Sequence, residues 1–132
     1  MMREHKINVN IEETIASYVE SACKYGEFIG CGNYEYASKH FAVNQKAFEK
    51  LLISGKPGRR ALINLLDHKN SYVRMSASIH LLNTRTNEPL VVLKEIIYDA
   101  GFHGINARIV LEDYKKGNIT VSPSLSRIIG IV

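Results

Sequence analysis

The chain has 132 residues, 45% of them hydrophobic and 23% charged, with 17 Lys/Arg against 13 Asp/Glu for a formal charge of +4. That length supports one domain around one hydrophobic core, and no apolar run approaches the ~20 residues that a membrane-spanning helix needs. The first fourteen residues, MMREHKINVNIEET, lack the apolar centre of a secretory signal, so the expected address is the cytoplasm, with no membrane partner.

Residues 1–9 read as an N-terminal extension to a single domain covering 1–132. The first helix is expected over 10–29, where Ile11, Ile15, Tyr18, Ala22, Cys23 and Ile29 make an apolar stripe. Glu13, Glu20 and Glu27 recur every seven residues on another face, with Glu12 alongside. Gly30 and Gly32 end it. Cys23 and Cys31 would lie ~12 Å apart on one continuous helix, beyond disulfide reach, and are expected to be buried, reduced thiols.

The second helix is expected over 33–54, with Ala37, Phe41, Phe48, Leu51 and Leu52 facing inward. The breaker cluster Ser54-Gly55-Lys56-Pro57-Gly58 stops it. Helices over 58–67 and 71–83 then flank a polar bend. Leu62, Leu65 and Leu66 sit at helical spacing before the bend, and Val73, Ala77 and Leu81 recur every four residues after it. Asn70 is placed to cap the fourth helix.

A fifth helix over 88–100 has Asn87 as its cap, Pro89 in its first turn and Gly101 as its stop. A sixth over 103–116 runs through Ala107, Leu111 and Tyr114. Lys115 and Lys116 complement its C-terminal dipole, and Gly117 suits the position beyond its end. The stretch 117–132 is apolar but punctuated by Ser, Thr, Pro123 and Gly130. It is expected to cap the last helix pair.

The segment Leu65-Leu66-Asp67-His68-Lys69-Asn70-Ser71-Tyr72-Val73-Arg74, followed by Ala77 and Leu81-Leu82, resembles a HEAT repeat. Residues 89–116 look like a second, degenerate unit. More narrowly, LLDHKNSYVR resembles a small bacterial family of helical-repeat domains of unknown function. Some single-domain bacterial proteins of this build serve as immunity proteins, encoded beside polymorphic or contact-dependent growth-inhibition toxins. The resemblance implies an all-α, HEAT-like α–α superhelix of about six antiparallel-paired helices. It also implies a non-enzymatic protein-binding role whose partner is a cognate toxin. One departure stands out. HEAT repeats usually pair an Asp in the bend with the Arg after Val, whereas here His68 fills that slot and Asp67 comes one residue early, which breaks the usual Asp–Arg ladder while leaving Asp67 within reach of Arg74.

Chemistry is thinly represented. His5, His40, His68, His80 and His103 form no HExxH and no ligand cluster, so no metal and no cofactor are expected. His80 reads as a hydrogen-bonded structural residue at the margin of its helix, and His68 as a bend residue satisfying backbone groups. Cys31, His40 and Asn44 superficially supply a thiol, a base and an orienting amide. Cys31 sits among glycines in a turn, with nothing to form an oxyanion hole, so no catalytic residue is assigned.

Charge is unevenly placed. Residues 1–35 hold six acids against three bases, net −3, and residues 36–132 hold fourteen bases against seven acids, net +7. Such a split steers oppositely charged partners to different faces. The acidic set Glu12, Glu13, Glu20 and Glu27, followed by Tyr34 and Tyr36, is the partner-binding candidate, because carboxylates steer encounter and tyrosines anchor interfaces. The alternative is a nucleic-acid contact through Lys56, Arg59, Arg60 and Lys69. Against it, Glu49, Asp67 and Glu112 interrupt the bases, and aromatic stacking platforms are sparse.

Overall fold

The computed structural model describes residues 10–82, 88–99 and 101–117, and within them the protein is all-α. Six α-helices follow one another: α1 Ile11–Gly30, α2 Tyr34–Ile53, α3 Lys56–Asn64, α4 Ser71–His80, α5 Glu88–Ile96 and α6 Phe102–Lys115. A short 3₁₀ turn, Leu65–Asp67, continues α3 towards the bend. The N-terminal extension, the Asn87 cap and the apolar stretch beyond Gly117 lie outside the described residues.

Local chemistry sets the helix boundaries. Asn10 accepts from the Glu13 N–H at the start of α1, Asn33 from the Tyr36 N–H at the start of α2, and Asn70 from the Tyr72 and Val73 N–H groups at the start of α4. Each meets free donors that a helix start leaves unsatisfied. Glu12 and Glu13 add negative charge at the positive end of α1. Gly32 reverses the chain between α1 and α2 at φ 80°, a conformation that side chains with a Cβ rarely adopt.

Helix α3 begins at Lys56 rather than at residue 58, because Pro57 fits its first turn and needs no N–H partner there. It also ends earlier, since Leu65–Asp67 tighten into the 3₁₀ turn. Helix α4 stops at His80, three residues short of the expected end, with the Leu81 and Leu82 N–H groups closing its last turn.

Helices α1 and α2 form an antiparallel hairpin, pinned by Tyr25 against Phe41 and Phe28 against His40. Helix α4 packs against α1 and also touches α5 and α6. Val73, Ala77 and Ile79 on α4 are fully buried, as are Tyr18, Leu51, Leu62, Leu93, Ile96, Ala107 and Val110 from the surrounding helices. Each large aliphatic buried this way contributes about 1.5–3 kcal/mol of transfer free energy before entropy is counted. Gly58 makes the α2–α3 approach close: a Cβ there would collide with the Leu51 backbone carbonyl.

Several expectations change. Leu52 faces solvent at 45% exposure instead of the core, and Phe41 is only half-buried. On α1 the buried face is Thr14, Tyr18, Ser21, Ala22, Tyr25 and Gly26, with Ile11, Ile15, Cys23 and Ile29 on its margin. Both cysteines are free, but Cys23 is half-buried and Cys31 exposed. Arg74 does not bridge to Asp67. Its guanidinium donates to the His68 and Lys69 carbonyls at 2.9 and 3.1 Å and so braces the bend from within.

Candidate functional site

Two surfaces and one buried cluster carry the polar chemistry. The acidic candidates Glu12, Glu13, Glu20 and Glu27 are all exposed on α1. Glu13 and Glu27 stand fourteen residues apart, ~21 Å along the helix. The fold therefore gathers only part of the set. Glu27, paired with Lys24 at 3.8 Å, lies at the end of α1 where Tyr34 and Tyr36 open α2. Glu12 and Glu13 lie at the opposite end and serve the α1 dipole.

Around that α1–α2 turn an aromatic patch forms. Tyr34 is 65% exposed and Tyr36 48%. Tyr36 meets Phe28 edge-on and lies under the Lys39 ammonium, 5.1 Å from the ring centre. His40 stacks on Phe28 at 5.4 Å. Phe28 and Lys39 were not among the residues singled out from sequence, and His40 was weighed there only as a base beside Cys31. The signal was present in part, since Tyr36 and His40 are one helical turn apart; the pairing with Phe28 needed the hairpin register. Tyr36, already propped by Phe28 and Lys39, can bind a partner with little further ordering cost.

The basic candidates are also exposed but do not converge. Lys56, Arg59 and Arg60 occupy the first turns of α3, whereas Lys69 sits on the bend past its other end. Beside that bend, a groove of 540 Å³ runs between the 3₁₀ turn and α5, floored by Ile63, Leu66, Val91 and Val92. Its rim carries both signs, with Lys69 and Arg74 against Asp67 and Glu95. His68 behaves as a bend residue, its Nδ1 accepting from the Asn70 N–H at 3.0 Å.

The buried cluster joins α1, α2 and α4; the sequence placed Tyr18 on the apolar face and read His80 as a hydrogen-bonded residue, but did not connect them with Asn44 or Ser76. Asn44 donates from Nδ2 to the Tyr18 carbonyl at 3.0 Å, which turns its Oδ1 towards Ser76. The Ser76 hydroxyl spends its one proton on that Oδ1 at 2.9 Å. Tyr18 then donates to Ser76 Oγ at 2.9 Å, leaving the phenol oxygen to accept from His80 Nδ1 at 2.6 Å. Counting protons thus assigns His80 as the neutral Nδ1–H tautomer. Gln45 Oε1 lies 3.4 Å from the other ring nitrogen, a contact that becomes a hydrogen bond when the amide turns its N–H to the ring.

Burial holds the His80 pKa down to about 3 and pushes the Tyr18 phenol well above its ordinary value, the Ser76 hydrogen bond offsetting little of this. The imidazole also stacks on Phe48 with centroids 3.9 Å apart. A cavity with room for about one water adjoins the cluster under Tyr25, Phe41 and Tyr72. Burial raises the Tyr25 phenol to about 12, with Tyr72 beside it adding to the rise. The basic nitrogen of His80 faces away from Ser76, so the ring is not aimed to deprotonate that hydroxyl. These hydrogen bonds tie three helices together.

Among the described residues, no three His, Cys, Asp or Glu side chains converge as a metal site would require, and no helix is long and apolar enough to cross a membrane. No family model, curated protein or solved structure matches the chain.

Proposed function

We propose that this chain is a non-enzymatic protein-binding module, and specifically an immunity protein that works in the cytoplasm of a bacterium. In this reading it neutralises a cognate toxin, of the contact-dependent growth-inhibition type or similar, by covering the toxin's active site. The likeness of the bend to a HEAT repeat suggests the class. The observation that carries the reading is the exposed pair Tyr34 and Tyr36 beside Glu27, at the tip of a well-packed helical hairpin.

Binding would begin with long-range attraction between the acidic α1 and a basic toxin surface. Docking would then desolvate the tyrosines, which act as anchors. Neutralisation needs only occlusion, over an interface of roughly 1,600 Å² in total. The experiment is a pulldown and growth-protection assay against the product of the adjacent gene. Stoichiometric capture with protection is expected, and the Tyr34→Ala/Tyr36→Ala variant should lose both while keeping its helical circular dichroism. Capture that survives this change would refute the assigned surface, and failure to bind or protect would remove the function.

A further inference from the structure

The corner where α2 ends and α3 begins has a composition unlike the rest of the surface. From Lys50 to Leu66 the chain has no acidic residue and four bases, Lys50, Lys56, Arg59 and Arg60, all exposed. In their midst Leu52 is 45% and Ile53 60% exposed. Lys46 and Lys50 precede Ile53 by seven and three residues, so the three share one outward face of α2. Glu49, three residues before Leu52 and four before Ile53, is the one acid on this face. The expectation of an inward Leu52 hid this corner, because it left Ile53 as a lone surface aliphatic.

We infer that this corner docks on the surface of an anionic lipid bilayer. The bases select a negatively charged partner. The aliphatic pair selects one that also offers hydrocarbon, which a nucleic-acid backbone does not. An exposed aliphatic pair sinks into a fluid planar surface, whereas a partner helix asks for a groove. Headgroup carboxylates and phosphates meet the cations while Leu52 and Ile53 enter the acyl boundary. Surface docking of this kind requires no membrane-spanning helix, so it is compatible with the apolar runs of this chain being too short to span.

The chain has no Trp, so Ile53→Trp supplies a single reporter at the corner, and Tyr98→Trp, on an 84% exposed site after α5, supplies a control. Both are titrated with phosphatidylcholine vesicles and with vesicles carrying about 30% phosphatidylserine. The expected result is a blue-shifted emission from the Ile53→Trp chain alone and only on anionic vesicles. Cosedimentation of the unaltered chain should weaken about tenfold or more between about 0.1 and 0.5 M salt. Arg59→Glu/Arg60→Glu should weaken it about a hundredfold, and Leu52→Ser/Ile53→Ser about tenfold. These side chains are exposed, so unchanged circular dichroism is expected in every variant. The inference is overturned by the absence of cosedimentation with anionic vesicles, by equal affinity for neutral ones, or by an unshifted emission from the corner reporter. Binding to duplex DNA or to an acidic peptide without vesicle binding would overturn it equally.

Discussion

Two asparagines lie in interiors of similar dryness, Asn44 on α2 at 5% exposure and Asn106 on α6 at 1%, yet their surroundings differ. Asn44 uses both ends of its amide, one on the Tyr18 carbonyl and one on the Ser76 hydroxyl. Asn106 has the thioether of Met75 at 3.9 Å for its N–H and, among the described residues, nothing for its Oδ1. The α1–α2–α4 junction is therefore specified by directional bonds, while the α4–α6 junction is held by apolar packing that carries an unreturned polar cost. A completed network fixes one arrangement of three helices, and an incomplete one only lowers stability.

The largest effect expected from this contrast concerns His80. Its folded pKa lies near 3, below the ordinary ~6.5 of the unfolded chain. Between those values the unfolded state binds the extra proton, so stability is complete above about pH 6.5 and declines as pH falls towards 3. Urea unfolding at pH 7.5 and 4.5 should show the gap between the unaltered chain and His80→Gln narrowing by about 3 kcal/mol. A gap that stays constant would mean that His80 is not held neutral.

Replacing Asn44 by Leu comes next. It removes two hydrogen bonds from the completed network, and unfolding free energy should drop by about 2 kcal/mol. Asn70→Ala should cost about 1 kcal/mol through loss of the α4 cap. Asn106→Leu sharpens the comparison because its sign is opposite. With no good bond to lose, the change should be neutral or stabilising by up to about 1 kcal/mol in thermal melts. A loss as large as that of Asn44→Leu would erase the distinction between the two junctions.

Much of the helical framework is readable from residue order because it rests on local rules. Asn70 was legible as a cap, Asn10 and Asn33 cap the two earlier helices by the same rule although they were not singled out, and Leu62, Leu65, Leu66, Val73, Ala77 and Leu81 are buried as their spacing implies. The Tyr18–Asn44–Ser76–His80 chain was not readable. Its hydrogen-bonded pairs lie 26 to 62 residues apart, and Asn44 and Ser76 look like ordinary polar positions until the helices meet. Leu52 was misjudged because helical period alone cannot say how wide a stripe its neighbours cover. On the candidate surface, exposure of the glutamates and tyrosines followed from residue type. Their division between two ends of α1 followed from helix length.

The central claim is that a preformed, chemically inert helical surface captures a protein partner. Isothermal titration of the purified chain with the adjacent gene's product, with and without Glu20→Lys/Glu27→Lys, tests it most directly. Stability of that variant should stay within about 0.5 kcal/mol of the original. A one-to-one complex, weakened several-fold by the charge reversal and more so at low salt, is the expected result. No heat of binding, or an affinity indifferent to both the reversal and the salt, would contradict it.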